Sequence, residues 1–195
     1  MTGTVSVKII DDFGGIKVKT TINFDKPIMR FSFELGNMLN IDSIEADVDI
    51  SWETTCDWVT RPITHAAKEI EIKAKSAIRE LIIEYHGQPK GWLTAIEERR
   101  VSLTAHSVWT IARTSEEIKF TYNYEIPGNY RIWNPYGGKH FYALKEGAYY
   151  LARYGDFSVF YFNTKDKAYA DYCARYYGEA VENYTAMFGK IGTYR

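Results

Sequence analysis

Alternation of apolar and polar residues runs through most of the chain and predicts β-strands. The segments TVSVKII and GIKVKTTI flank Asp-Asp-Phe-Gly, which predicts a hairpin turning at Gly14 and Gly15. Alternation continues in IMRFSFEL, LNIDSIEADVDIS, KEIEIKA, AIRELIIEYHG, EEIKFTYNYEI, KHFYAL, AYYLARY and DFSVFYF. About twelve such runs recur at intervals of roughly 8 to 14 residues, as in an antiparallel sandwich or a large curved sheet. The predicted fold class is therefore mainly β, with antiparallel or mixed sheets.

Several breaks are predicted within this pattern. Asp25, Lys26 and Pro27 separate two strands, and residues 68–74 and 77–87 form two further strands, although charge pattern alone would allow a short helix over the latter. Residues 52–67 alternate poorly and contain a proline, which predicts irregular structure. VSLTAHSVW is predicted to be a strand throughout, with His106 facing outwards.

The chain ends differently, because residues 165–188 have the periodicity of one long amphipathic helix. Thr164 is a suitable N-cap and Gly189 a suitable C′ residue. Residues three and four apart place aromatic side chains on one broad face, which predicts a packing surface or interface. Its candidate interface residues are Tyr169, Tyr172, Tyr176, Tyr184, Met187 and Phe188. A helix of about 24 residues is roughly 36 Å long, so the β portion is expected to cover only part of this face.

Composition and charge narrow the classes of function. The net charge of −1 argues against nucleic acid as a partner, and no apolar run reaches the ~20 residues that a membrane helix needs. No signal peptide is visible at the start, so a soluble protein is expected and the cytoplasm is slightly favoured. The two cysteines, Cys56 and Cys173, lack metal-type spacing and are predicted to be unpaired thiols.

No catalytic pattern is found in these residues. HExxH, GxSxG and phosphate-binding loops are all missing, and His65, His86, His106 and His140 fit solvent-facing positions better than a metal site. No catalytic residue, metal ligand or cofactor is therefore predicted in this chain. An aromatic platform for sugar rings is an alternative candidate, although core or rim positions are more usual for such residues. Its members would be Trp92, Trp109, Trp133 and Tyr136.

The order of the segments resembles the N-terminal β domain of the M1-family zinc aminopeptidases. The resemblance covers nearly the whole chain and rests on the early alternating strands, a strand ending in Tyr85-His86-Gly87, the segment Ser107-Val108-Trp109, and a final helix ending in Phe188-Gly189. The family's GxMEN and HExxH motifs, which lie downstream of such a domain, are absent. The Cys-x-Asp-x-Pro-like loop of many members is also missing, since AHSVWTIARTSEEIKF stands in that region.

The resemblance implies a saddle-shaped, mainly antiparallel domain over residues 1–163, followed at 164–195 by the first helix of a thermolysin-like catalytic domain. The chain would be non-catalytic, would shape the substrate cleft, and would dock on the catalytic domain of the same parent polypeptide. Zinc and peptide substrate would bind through that parent alone. Two alternatives remain open: a free-standing β-sandwich that binds carbohydrate, and an adaptor that uses the tyrosine-rich helix as a dimer interface.

Overall fold

The computed structural model describes residues 1–59, 66–91, 93–133, 138–155, 157–161 and 167–189. They form twelve strands, one short 3₁₀ helix (Ala105–Ser107) and one α-helix. In chain order these are β1 (Thr2–Ile9), β2 (Ile16–Gly36), β3 (Leu39–Ala46), β4 (Ile50–Val59), β5 (Ala67–Gly87), β6 (Ala95–Glu97), β7 (Arg100–Leu103), β8 (Lys119–Glu125), β9 (Tyr130–Trp133), β10 (Phe141–Lys145), β11 (Tyr150–Tyr154), β12 (Phe157–Tyr161) and α1 (Lys167–Phe188). The prediction of a mainly β fold is confirmed.

The largest sheet has six strands in the order β3-β5-β2-β1-β8, and β4 also pairs with β5. The predicted first hairpin is present, with β1 and β2 antiparallel from Thr2 opposite Asn23 to Ile9 opposite Ile16. The sheet is mixed, because β8 runs parallel to β1. Alternate residues of β1 and of the first half of β2 point into the core, as the sequence pattern requires.

Two strands are longer than predicted, since β2 and β5 each span 21 residues. The predicted break at Asp25-Lys26-Pro27 does not end β2. Instead, the register with β5 shifts between Asn23 and Ile28, so the proline lies where the ladder is already interrupted. Residues 77–87 form the second half of β5, which confirms the prediction of a strand over a short helix. Residues 50–59 form β4, although irregular structure was predicted from residue 52 onwards, because they pair with the first half of β5.

The predicted strand over residues 101–109 is wrong beyond Leu103. A 3₁₀ turn replaces it at Ala105–Ser107, and Val108 adopts the left-handed conformation with φ of 47°. His106 therefore lies in this turn and not on a strand. The segment that follows crosses the end of β2: the Gly36 amide donates to the carbonyl of Val108 at 3.0 Å, and Glu34 exchanges backbone hydrogen bonds with Ala112 at 2.8 and 3.0 Å.

The two smaller sheets are β6-β7-β10-β9 and the antiparallel pair β11-β12. The chain divides into two compact units, Met1–Gly128 with Ile132–Ala143, and Asn129–Arg131 with Leu144–Arg195. The core of the first unit contains large side chains that are almost fully buried, among them Phe31, Phe33, Tyr85, Trp109 and Phe141. The second unit contains β11, β12 and α1. A boundary at 163/164 between two domains of a parent polypeptide stays a prediction.

Candidate functional site

Helix α1 packs on β11 and β12 through its smallest residues. Ala170, Ala174 and Gly178 are its buried positions, and they follow one another at intervals of four along a single face. The first two form a buried cluster with Ala152 of β11, against which the rings of Tyr150 and Tyr154 pack. The predicted cap at Thr164 lies outside the described residues, whereas Gly189 has the positive φ of 79° that suits a C′ residue.

Small residues are needed on this face because the strands approach the helix closely. A Cβ atom added at Gly178 would lie 2.3 Å from Cδ1 of Tyr154, far inside van der Waals contact. At the start of the helix, the Tyr150 hydroxyl donates to the Asp171 carboxylate at 3.0 Å, which raises the pKa of Tyr150. The helix is thus fixed to β11 and β12 by close small-residue packing and one hydrogen-bonded tyrosine.

The large side chains of α1 outside this contact form a broad, exposed aromatic face. We define this aromatic face as the large side chains of α1 that are more than half exposed, with exposed fractions from 52% to 73%: Tyr169, Tyr172, Tyr176, Tyr177, Val181, Tyr184, Met187 and Phe188. All six predicted interface residues belong to it. The prediction that the tyrosines pack partly on the β portion is corrected by the structure, in which the alanine and glycine face makes that contact. The small residues at positions 170, 174 and 178, spaced four apart, were the feature of the sequence that could have predicted this contact face.

The rings of the aromatic face are arranged along the helix surface. Tyr169 stacks near Tyr172 and Tyr172 near Tyr176, with ring centroids 6.5 and 6.0 Å apart. A second pair, Tyr184 and Phe188, stacks at 5.9 Å. Contiguous exposed aromatic surface of this kind marks interaction sites, since large rings bury much apolar area while the phenol groups accept or donate hydrogen bonds.

The structure does not support Trp109 as a member of an aromatic platform. Trp109 is fully buried, its indole N–H donates to the carbonyl of Lys139 at 3.2 Å, and its ring contacts that of Tyr122. Trp92, Tyr136 and the side chain of Trp133 lie outside what the structure describes. Trp109 is therefore a core residue. The interpretation of VSLTAHSVW as one continuous strand did not predict its burial.

A groove of about 780 Å³ lies on the polar outer face of the six-stranded sheet. Its polar side chains pair across strands, with Lys8 3.1 Å from Glu125, Lys19 2.9 Å from Glu84, and Nδ1 of His86 2.7 Å from Oδ1 of Asp42. Hydrogen bonds to the two carboxylates raise the pKa values of Lys8 and Lys19. Such exposed pairs are typical of a solvated sheet surface.

Among the described residues, no group of three or more His, Cys, Asp or Glu side chains is placed to hold a metal ion. Cys56 and Cys173 are both free thiols, as predicted. His65 lies outside the described residues, and His140 is half-buried. In the part of the chain that the structure describes, no helix combines the length and apolarity needed to cross a membrane.

Comparisons with known proteins give similarities to solved structures alone. No protein-family model and no curated protein matches the chain. An aminopeptidase N family protein from Idiomarina loihiensis aligns with 80% of the chain at 8% identity and a TM-score of 0.47. Yeast LTA4 hydrolase in complex with bestatin aligns with 94% at 11% identity and a TM-score of 0.47. The chain spans about a third of each, 31% and 34% respectively.

Proposed function

We propose that this chain is the non-catalytic N-terminal β domain of an M1-like zinc metallopeptidase, where it shapes the substrate cleft and docks on the catalytic domain. The proposal rests on the order of segments in the sequence and on the mainly β architecture. The Tyr-x-Gly strand end has a physical reason here. Tyr85 is buried, whereas a side chain at Gly87 would collide with the carbonyl oxygen of Met38, since an added Cβ would lie 2.2 Å from it.

The aromatic face of α1 is the observation that carries the docking role. Its eight large side chains are more than half exposed, while the contact of the helix with β11 and β12 is made by Ala170, Ala174 and Gly178. A soluble domain rarely leaves so many aromatic rings along one helix uncovered. We assign the rest of the catalytic domain of the same polypeptide as the occupant, because the resemblance makes this helix the first element of that domain.

In this proposal the chain contributes surface and no chemistry. The catalytic domain would hold the zinc ion and the substrate's amino terminus, and the β domain would restrict access to them. We expect the purified chain, supplied with zinc, to hydrolyse no aminoacyl-4-nitroanilide above the rate of a no-protein blank. Hydrolysis that co-purifies with the chain through two orthogonal columns, at a constant specific activity, would contradict the proposal.

The aromatic face also favours a second candidate, an adaptor that pairs through α1 with another copy of itself. Light scattering across a hundredfold concentration range separates the two readings. The proposed docking role predicts a monomer, since the face is made for a different partner. A dimer that dissociates when Tyr172 and Tyr176 are both changed to serine would favour the adaptor instead.

A further inference from the structure

Strands β3 and β4 together form one long edge of the six-stranded sheet. Both run antiparallel to β5 on the same side of it, β3 along residues 81–87 and β4 along residues 67–74, while β2 occupies the other side. Among the described residues, no strand pairs with the outer edge of β4. This edge therefore presents backbone amides and carbonyls to which a further strand can hydrogen-bond.

The edge strand β4 lacks most of the features that protect edge strands in proteins, which are short length, lysine, proline and irregular pairing. It spans ten residues and contains no lysine and no proline. Its register with β5 is regular from Ile50 to Thr54, and the irregularities begin only after Thr54. The strand at the opposite edge, β8, is seven residues long and begins with Lys119. The regular half of β4 is therefore the part of the sheet most open to strand addition.

The two faces of this regular half differ in chemistry. Trp52 lies opposite Ile72, which is fully buried in the core, yet Trp52 itself is 44% exposed. Glu53 lies on the other face, opposite Glu71, and Lys73 binds their carboxylates at 2.8 and 2.7 Å. A strand added beside β4 would place apolar side chains next to Trp52 and polar ones next to Glu53.

The charge of this edge selects the kind of strand that can bind. The chain has no lysine or arginine from residue 31 to residue 60, and residues 39–59 carry six carboxylates. These are Asp42, Glu45, Asp47, Asp49, Glu53 and Asp57. The neighbouring strand β5 has four glutamates and four lysine or arginine residues, so it does not neutralise the edge. A second copy would bring six more carboxylates, and like charges placed opposite each other are destabilising.

We propose that β4 is a docking site for an extended, basic segment of another protein, which adds as a further strand to the sheet at residues 50–54. Its alternate apolar residues pack on Trp52, and its lysine or arginine residues lie beside Glu53. Backbone hydrogen bonds supply the affinity and alternating side chains the specificity. Trp58, which is 68% exposed, offers its ring to a further cation. The chain's own alternating lysine segments, in β1 and β2, are already paired with each other.

The proposal is tested by NMR titration of the isotope-labelled full chain with a capped peptide in which lysine and valine alternate over eight residues. We expect shift changes centred on the amides of residues 50–54, where hydrogen exchange should slow about tenfold at saturation. One control peptide replaces each lysine by glutamate, and another groups the same residues as a lysine block followed by a valine block. Neither should slow the exchange.

Two results of this titration would overturn the proposal. If the block peptide binds as tightly as the alternating one and neither slows exchange, the carboxylates attract cations without strand addition. If the alternating peptide does not bind at all, the acidic side chains only protect the edge from pairing.

Two variants test the side chains singly, so failure of one to fold leaves the other. Trp52→Ser removes the apolar contact and Glu53→Lys reverses the charge, and each should weaken peptide binding about fivefold or more. Glu117→Lys is the matched control, because it makes the same charge change at an exposed position just before β8, at the opposite edge of the sheet, and should leave binding unchanged. Equal weakening by the two lysine variants would show that net charge governs binding and would contradict the assignment to β4.

Discussion

The core under the large sheet and the helix α1 use their aromatic residues in opposite ways. In the first unit, Phe31, Phe33, Trp109 and Phe141 are at most 1% exposed. On α1, tyrosines and phenylalanine remain outside while alanine and glycine are buried. The difference teaches that the sheet unit buries its aromatic rings in its own core, whereas the helix packs through small residues and leaves its largest apolar side chains exposed.

The largest effect is expected from removing a core ring. Phe33→Ala should lower the free energy of unfolding of the first unit by about 3–5 kcal/mol, through lost burial and the cavity that remains. Urea titration followed by tryptophan fluorescence measures this unit, because all five tryptophans belong to it. Phe188→Ala is the matched control at 73% exposure and should leave the midpoint unchanged. Equal shifts of the urea midpoint in both variants would contradict the difference between buried and exposed aromatic residues.

Overpacking the small-residue face of α1 should have the next largest effect. Ala174→Leu inserts bulk at a fully buried position against β11 and should cost about 1–3 kcal/mol. The change is measured as earlier loss of helical circular dichroism on heating, with Tyr176→Leu on the exposed face as control. If Ala174→Leu is as stable as the control, Ala174 does not face the strands.

Alkaline pH should destabilise the sheet unit through its buried tyrosine. The pKa of Tyr85 is raised in the folded state, so its neutral form favours folding; that contribution is complete below the unfolded pKa of about 10 and is lost as pH rises above it. Because the unfolded pKa is about 10, this loss is at most about 1.4 kcal/mol at pH 11. Urea midpoints from pH 8 to 11 should therefore fall less in Tyr85→Phe than in the parent.

The raised pKa values of Lys8 and Lys19 act in the same alkaline range, but they are common to both proteins and cancel in this comparison. Identical pH profiles for the two proteins would show that Tyr85 ionises without loss of the fold.

The smallest effect on stability is expected on the aromatic face. The pair Tyr172→Ser and Tyr176→Ser should change the free energy of unfolding by no more than about 0.5 kcal/mol per site, since both rings are exposed and serine and tyrosine have similar helix propensities. The same variant should nevertheless lose binding, in calorimetry, to the rest of the catalytic domain expressed separately without this helix. A variant that unfolds would mean that the tyrosines stabilise the chain itself.

Alternation identified most of the strands, because residues such as Val5 and Val18 obey a period of two that local sequence reveals. It did not show that β2 and β5 are continuous. The ladder with a long neighbour carries β2 past Pro27, and that pairing is a long-range property. The burial of Trp109 could not be predicted from local sequence either, because it depends on the hydrogen bond between the carbonyl of Val108 and the Gly36 amide at the end of β2.

The helix itself was predictable, but its contact face was not. Two stripes recur at helical spacing, one aromatic and one of small residues, and hydrophobicity favours the aromatic one. In the structure the rings of Tyr150 and Tyr154 come from the strands, so the helix must supply the small residues opposite them. Tertiary packing decides whether the helix or the strands supply the large side chains at this contact.

The central claim is that the aromatic face of α1 belongs to the contact with a catalytic domain encoded in the same polypeptide. The most direct measurement is to read the gene beyond the codon for Arg195. The account predicts that the frame continues and encodes GxMEN followed by HExxH and a distant glutamate. A stop codon directly after Arg195 would contradict it, and the aromatic face would then need a partner from another chain.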